Sequence, residues 1–280
     1  MAHYYKPSGR FSPLSFLYLL LFSCTVFPLL AFAYAYAIWY IPFIYISFLF
    51  TAGFGFSIGV ITNLGVVRLG KVRNVAVAGI LAVLASLAAL YFHWAVWLDL
   101  VISEAGEELG ILNLVQRPDV LFELIASVNE TGIWGFGDST ISGVLLSIVW
   151  VVEFLIVTGV AIFLSFPSAT APFCEETNKW FDEIKIAPFQ ILGEPQGIVS
   201  ALESGNDEIF NEIEKVIDAE KESHSKFVVF SSEVGDNYLM IENERATLND
   251  KNELEFKTEE VIEYISISND LKKKLIELGA

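Results

Sequence analysis

The fold is decided by residues 141–166, which read ISGVLLSIVWVVEFLIVTGVAIFLSF and contain a single charged residue, Glu153. A helix of roughly 20 apolar residues crosses a hydrocarbon core of about 30 Å, and this stretch is long enough. Residues 14–37, 41–63 and 75–98 are similarly apolar and contain no acid, lysine or arginine. The sequence therefore predicts four transmembrane helices at these positions.

Charge divides the chain at residue 166. Residues 1–166 contain 9 acids and 6 bases, a net charge of −3, whereas residues 167–280 contain 25 acids and 11 bases, a net charge of −14. These figures exclude a single soluble globular domain. They predict an α-helical membrane bundle (residues 1–166), embedded in a lipid bilayer, followed by a small soluble and acidic α+β domain (residues 167–280).

The positions of the basic residues predict the orientation of the bundle. On one side of the membrane, basic residues lie before the first span and between the second and third spans: Lys6, Arg10, Arg68, Lys71 and Arg73. On the other side, the turns contain only Arg117. By the positive-inside rule both termini are cytoplasmic, and we expect a multi-pass protein of the bacterial inner (cell) membrane.

A secretory signal is the alternative for the first span, because Ala31, Phe32 and Ala33 resemble a cleavage site after an apolar run. The run is longer than a typical signal core, and apolar sequence resumes at once, so retention of the span is favoured. Aromatic residues are expected at the membrane interface, where tryptophan and tyrosine accumulate. They are Tyr34, Tyr36, Trp39, Tyr40, Trp94 and Trp97.

The outer loop, residues 101–140, is predicted to contain an amphipathic helix over residues 118–131. Its apolar residues follow helical spacing, Pro118 suits the first position, and Gly132 suits the end. The helix either lies in the outer interface, with Trp134 and Phe136 anchoring its exit, or packs onto the ends of the bundle. Three acids in this loop are interpreted as a solvated face, not as a metal site: Glu104, Glu107 and Glu108.

Glu153 is the candidate functional residue of the membrane part, because an ionised carboxylate at mid-membrane costs roughly 2.5 kcal/mol or more. Helical rise places His93 within about one turn of its depth. One hypothesis is a proton-responsive pair of Glu153 and His93, with Thr51 or Ser86 nearby. The other is a protonated Glu153 that hydrogen-bonds to a neighbouring helix and fixes the register of the bundle.

Small residues predict helix packing. Gly55 and Gly59 form a small-xxx-small pair in the second span. An alanine stripe follows one face of the third span: Ala78, Ala82, Ala85 and Ala89. Such surfaces suit contacts within one bundle and contacts between copies equally, so a homo-oligomer is one expectation. Pro28 is expected to kink the first span.

After residue 166 the pattern predicts a proline-rich linker and then helix, strands and helix. Ile209, Ile213, Val216 and Ile217 suggest a helix capped by Asn206. Three strands are expected over residues 227–231, 238–248 and 254–267, the last two joined as a hairpin by the turn residues 249–252. Leu271, Leu275 and Leu278 predict a final helix capped by Asn269.

The chemistry of this domain is sparse. His224, expected to be exposed, is its one histidine and Cys174 its one cysteine, so no zinc site or catalytic triad is predicted. No basic face exists for nucleic acid, and the two cysteines of the chain exclude a disulfide scaffold. No cofactor or metal is predicted, and a protein partner is expected instead.

The chain resembles a group of uncharacterised bacterial four-pass membrane proteins with a zinc-ribbon-like cytosolic domain. The segments that carry the resemblance are YAYAIWYIP (residues 34–42), GKVRN (70–74), Glu153 and PFCEET (172–177). The resemblance implies a Cys-x-x-Cys after the fourth span and a second one in the hairpin region. Here Thr177 stands in place of the second cysteine, and residues 231–236 read SSEVGD, which implies loss of the metal.

The favoured interpretation is a non-catalytic interaction or scaffold module that presents an acidic cytosolic domain. The alternative is a small transporter or proton-responsive membrane component that uses Glu153 and His93. A membrane-embedded enzyme ranks third, because no assembled set of catalytic residues is recognisable in the sequence.

Overall fold

The computed structural model describes residues 3–41, 44–107, 109–132, 135–136, 139–211 and 213–279. The chain forms two compact units. One is the membrane unit, Ser8–Thr170, and the other combines the described residues of Met1–Pro7 with those of Ala171–Ala280. The described residues before Ser8 therefore cluster with the α+β unit, whereas the prediction placed residues 1–166 in one membrane domain.

The membrane unit is helical, with one minimal hairpin. Its elements are α1 (Leu14–Cys24), α2 (Val26–Tyr40), α3 (Ile44–Ile61), a π-helical turn (Thr62–Arg68), α4 (Val75–Glu104), α5 (Ile111–Gln116), α6 (Pro118–Thr131), β1 (Gly135–Phe136), β2 (Ser139–Thr140) and α7 (Gly143–Thr170). In the part of the chain that the structure describes, four helical segments are long and apolar enough to cross a membrane: Leu14–Tyr40, Tyr45–Arg68, Val75–Glu104 and Gly143–Thr170. This confirms the predicted fold class.

The first span is not one continuous helix. It breaks at Thr25, whose backbone leaves the helical region with φ −123° and ψ −67°. Pro28 lies three residues later, and its ring would clash with the carbonyl of Cys24, the last residue of α1. The expected kink is thus a break between α1 and α2.

The other spans extend past their predicted ends. The second continues to Arg68 because the buried Val66 and Val67 prolong its apolar face. The third continues to Glu104 and the fourth to Thr170, with Pro167 inside the helix. An acid or a proline in the last turns does not stop a helix whose other residues remain apolar.

The amphipathic helix α6 has the predicted bounds, Pro118–Thr131. Its Leu121 is fully buried against Ala95 and Leu98 of α4, together with Leu114 of α5. The side chain of Asn129 donates a hydrogen bond of 3.2 Å to the carbonyl of Gly143 at the start of α7. One face of α6 therefore packs on the bundle, which agrees with the alternative that this helix packs onto the ends of the bundle.

The α+β unit contains one main antiparallel sheet. Its elements are β3 (Phe173–Cys174), β4 (Lys179–Trp180), β5 (Asp182–Gln190), α8 (Pro195–Glu203), a 3-10 turn (Glu208–Phe210), β6 (His224–Ser231), β7 (Asn237–Leu248), β8 (Leu254–Ser266) and α9 (Asn269–Gly279). The sheet has the strand order β5-β6-β7-β8, and β3 and β4 form a separate hairpin. The predicted hairpin of β7 and β8 and the final helix are present.

Two parts of this unit differ from the prediction. The expected linker contains β5 and α8. No α-helix covers the described residues of the range 209–217, of which Ile209 and Phe210 belong to the 3-10 turn. Instead, Lys215 forms an isolated bridge to Phe189, and Val216 donates a backbone hydrogen bond of 3.0 Å to Pro188. The segment therefore runs beside the end of β5, and Ile217 is 98% exposed.

Alternate residues of the central strand β6 bury two faces of the sheet. Phe227 and Val229 belong to the core that α8 and α9 cover, whereas Val228 and Phe230 pack with Cys174 of the small hairpin. Cys174 is buried by apolar side chains and bonded to no other cysteine. Apolar packing therefore holds the hairpin against the sheet.

The N-terminal segment pairs with one half of the edge strand β8. Tyr4 bridges Ile265, Ser266 donates to the carbonyl of His3 at 2.7 Å, and Tyr5 donates to the carbonyl of Tyr264 at 2.9 Å. Residues 3–5 therefore close the last part of this edge, near the C-terminal end of β8.

Candidate functional site

The polar centre of the membrane unit is Glu153, near the middle of α7. Its carboxyl oxygen Oε1 is hydrogen-bonded to the hydroxyl of Tyr34 on α2. That hydroxyl lies 2.8 Å from Oγ1 of Thr51 on α3, which donates a bond of 2.9 Å to the carbonyl of Ser47. Tyr34 and Thr51 are 5% and 3% exposed. One chain of hydrogen bonds therefore connects three of the membrane-spanning segments.

The Tyr34 hydroxyl donates to Oε1 of Glu153, and a tyrosine hydroxyl donates only once. Thr51 donates to the carbonyl of Ser47. Oε1 of Glu153 therefore accepts one hydrogen bond, which suits a carboxylate and equally the carbonyl oxygen of a neutral carboxylic acid. A bilayer favours the neutral acid.

His93 does not pair directly with Glu153. Its ring packs on Tyr34, with 4.7 Å between the ring centroids, and it is 3% exposed. Its buried Nδ1 atom has no hydrogen-bond partner among the described residues. Tyr34 therefore stands between the two residues of the hypothetical pair. Ser86 is also buried but donates to the carbonyl of Ala82, one turn earlier in its own helix.

A cavity of about 370 Å³ opens beside Glu153, between α4, α6 and α7. Its walls are largely aromatic and aliphatic: Leu87, Leu90, Tyr91, Trp94, Leu121, Phe122, Ile125, Trp150 and Phe154 line it together with Glu153. Trp94 meets Trp150 edge to face, with ring centroids 4.8 Å apart. Glu153 is the one acid among the lining residues.

The predicted packing residues lie at contacts inside the bundle. A Cβ atom on Gly55 would come within 2.9 Å of the Val157 backbone, and one on Gly59 within 2.8 Å of Leu164. Both glycines therefore lie against α7. The alanine stripe of α4 is completely buried in the bundle core: Ala78, Ala82, Ala85 and Ala89.

Tyr34 is the site residue that the sequence did not reveal. It was expected at the membrane interface, yet it is buried in the bundle. A signal was present, because Phe27, Ala31 and Tyr34 are spaced by four and three residues and all three are buried on one face of α2. Of the other expected interface aromatics, Tyr40 is 74% exposed.

The outer-loop acids form no site in the described part of the chain. Glu104 and Glu107 are exposed, and Glu108 and Trp134 lie outside the described residues. No group of three histidine, cysteine or acidic side chains that suits a metal ion occurs among the described residues.

His224 in the α+β unit is buried, not exposed as expected. It is 5% exposed, and its Nδ1 atom lies 2.9 Å from the carbonyl of Glu222. Glu244, directly opposite on β7, accepts a bond of 2.8 Å from Lys226. This bond is the main cause that lowers the pKa of Glu244 below its usual range. These polar groups hold the strands together.

The edge strand β8 is open over its first part and strongly acidic there. No further strand pairs with residues 254–263 in the part of the chain that the structure describes. Four exposed acids lie on this stretch: Glu255, Glu259, Glu260 and Glu263. Arg245 pairs with Glu259 at 3.0 Å, whereas the other three have no ion pair among the described residues.

The acids on one side of this edge lie close enough to interact. Burial raises the pKa of Glu263 above its usual range, and the carboxylates of Glu260 and Glu242 raise it further. The pKa of Tyr264 is also raised, chiefly by burial and then by the surrounding carboxylates. These shifts indicate a local excess of negative charge around Glu263 and Tyr264.

Comparison of the chain with models of protein families, with curated proteins and with solved structures finds no match. The resemblance to four-pass membrane proteins therefore stays a prediction, and two features of the structure are candidates for a function. They are the Glu153 network with its cavity and the open acidic edge of β8.

Proposed function

We propose that the protein is a non-catalytic interaction module of the bacterial inner membrane, with both termini in the cytoplasm. Its four apolar helices anchor it, and its acidic α+β unit binds a protein partner. The orientation is supported by the basic residues that flank the spans on one side, among them Lys6, Arg68 and Arg73.

The observation that carries this proposal is the open acidic edge of β8, residues 254–263. An unpaired edge presents backbone donors and acceptors to an extended segment, which adds as a further strand. Three exposed carboxylates without an ion pair, Glu255, Glu260 and Glu263, favour lysine or arginine side chains on that segment. The partner is therefore an extended, basic stretch of another protein.

A second copy of the chain is a poorer occupant of the same edge. Two β8 strands side by side bring acidic residues opposite one another, and like charges in cross-strand pairs are destabilising. The edge thus discriminates by charge, because it repels copies of itself and attracts basic segments.

The test uses the full-length protein in mild detergent and a fluorescent, extended peptide of alternating lysine and valine. We expect saturable binding that weakens with salt. Two controls separate strand addition from simple charge attraction. A peptide of the same sequence with N-methyl groups along one edge keeps its charge but loses backbone donors, and we expect it to bind at least about tenfold more weakly.

The matched protein variant replaces Glu255, Glu260 and Glu263 by glutamine, which keeps size and polarity and removes three charges. Binding of the basic peptide should weaken, while the variant stays folded because all three side chains are exposed. Equal binding of the methylated and unmethylated peptides, or unchanged binding by the triple variant, contradicts the proposal.

The second candidate function, a proton-responsive membrane component, is supported by the Glu153 network. Tyr34 donates to Glu153 and its hydroxyl also contacts Thr51, so a change in the charge of Glu153 alters the strength of a hydrogen-bond chain that joins three helices. Tyr34, rather than His93, is the direct partner of the carboxyl group in this version.

A further inference from the structure

We propose that the cavity beside Glu153 binds a hydrophobic organic cation in exchange for the proton of the Glu153 carboxyl group. This inference concerns the membrane unit, deepens the proton-responsive candidate function, and is independent of the β8 edge. The supporting observations are one acidic side chain in the cavity wall and the absence of a basic side chain among the residues that line it.

The cavity offers one acid in an otherwise apolar wall. Glu153 lines it, and Oε1 of that residue is bonded to Tyr34. Among the described residues, Tyr34 alone forms a hydrogen bond with the Glu153 carboxyl group, through Oε1. The second oxygen, Oε2, makes no hydrogen bond with a described residue. The Tyr91 hydroxyl is already used, because it donates to the carbonyl of Val115 at 2.8 Å. The carboxyl group is therefore the available polar contact.

The groups that face the carboxyl from neighbouring helices cannot neutralise a negative charge on it. Tyr34 of α2 and Thr51 of α3 are hydroxyls, and Tyr91 of α4 is another. His93 packs its ring on Tyr34 and makes no ion pair with Glu153 in the described structure. An ionised Glu153 needs a counter-charge in a bilayer. Either a proton or an external cation must supply it.

The walls decide which cation fits. Trp94, Trp150 and Tyr91 present aromatic rings, which attract a cation over their faces and also contact apolar groups. Calcium or magnesium prefers six or more oxygen ligands, which this cavity does not provide. A volume of about 370 Å³ lies within the range of small-molecule sites. The chemistry therefore fits an organic cation with apolar or aromatic substituents.

The exchange balances in charge and atoms. The protonated Glu153 side chain releases one proton to water, and the resulting carboxylate pairs with the monovalent cation in the cavity. Tyr34 donates to the carboxylate, as it does to Oε1 in the structure. Proton and cation compete for one site, so binding must release one proton.

The test measures binding of tetraphenylphosphonium to the full-length protein in detergent between pH 5 and pH 9. We expect affinity to rise about tenfold per pH unit over the range where Glu153 is protonated in the unbound protein, with one proton released per cation. Tetraphenylborate, an anion of the same shape, is the matched probe and should not bind at the cavity.

Variants locate the site. Glu153→Gln should abolish binding, whereas Glu123→Gln, which removes an exposed acid of α6 outside the cavity lining, should not change it. Trp150→Leu keeps an apolar wall and should weaken binding about threefold to tenfold through loss of the cation–aromatic contact. The Trp150→Leu variant still tests the site if the Glu153→Gln variant does not fold.

Absence of binding at every pH, binding that is independent of pH, or unchanged binding by Glu153→Gln overturns the inference. Equal binding of the borate anion overturns it as well. Peptide binding at β8 is measured separately, so failure of either proposal is distinguishable from failure of the other.

Discussion

Replacement of Gly55 by alanine should destabilise the contact between α3 and α7. A Cβ atom at this position would lie 2.9 Å from both Cα and the carbonyl oxygen of Val157, and these are backbone atoms that cannot rotate away. Overpacking of this kind typically costs about 1–3 kcal/mol. Gly53 on the same helix is the control, because a Cβ atom there meets nothing within 4 Å.

Both substitutions gain the same intrinsic helix propensity, about 1 kcal/mol, which cancels when the two variants are compared. We therefore expect Gly55→Ala to be about 1–3 kcal/mol less stable than Gly53→Ala. The assay is equilibrium unfolding of both full-length variants in the same mild detergent. If their unfolding free energies agree within about 0.5 kcal/mol, the close approach of α3 and α7 at this position is refuted.

Five further substitutions, one of them a control, are checked by the same unfolding measurement. Tyr34→Phe removes the hydroxyl that joins three helices and should cost about 0.6–1.7 kcal/mol; no loss would contradict the network. Asn74→Ala removes the N-cap of α4, whose side chain accepts from the Val77 amide at 3.1 Å, and should cost about 1 kcal/mol. Leu275→Ala, at a fully buried position of α9, should cost about 2–5 kcal/mol, whereas the exposed Lys273→Ala should change little. Glu263→Gln should stabilise the α+β unit by about 0.5 kcal/mol at pH 7 and have no effect below about pH 4. The sign follows from the raised pKa of Glu263 in the folded state, since the ionised form then opposes folding and the penalty disappears once the carboxyl is protonated. A stabilisation that persists at low pH would refute that explanation.

The bundle was predictable because its signals are long and uninterrupted. A run of about 20 apolar residues in a bilayer forms a transmembrane helix, because the helix satisfies all of its backbone hydrogen bonds internally. The helix α6 was predictable to the residue, since Pro118 and Gly132 mark its ends and the residues between them have clear helical spacing. The ends of the spans were less predictable, because the energy of one acid or proline in a last turn is small beside that of the whole apolar helix.

The failed helix over residues 209–217 shows why spacing alone is ambiguous. Ile209 and Ile213 do pack against the core, as a helical face would, but the chain reaches them from a 3-10 turn and continues beside β5. Backbone bonds to Pro188 and Gln190 replace the helical ones. The strand β5 was missed for a related reason, because it contains Pro188 and a bulge between Ile186 and Phe189.

Only half of the candidate site was visible in the sequence. Glu153 stands out because an acid in a membrane span is costly, and Thr51 was included with it. The pairing with His93 was inferred from depth along two helices, and depth does not specify which faces meet. Tyr34 was assigned to the interface by residue type, whereas its position on the Phe27 and Ala31 face of α2 determines its burial.

The positions of the small residues limit which surfaces are available for contacts between copies of this protein. Gly55 and Gly59 are used against α7, and the alanine stripe of α4 is buried inside the bundle. Those surfaces are therefore not free to form a homo-oligomer, and like charges oppose association through β8. Between residues 144 and 155 the exposed residues of α7 form a row of large apolar side chains: Val144, Leu145, Ile148, Val151, Val152 and Leu155. Large side chains do not let two helix backbones approach closely, and lipid tails contact them as well as another helix does, so any association there should be weak and dependent on lipid.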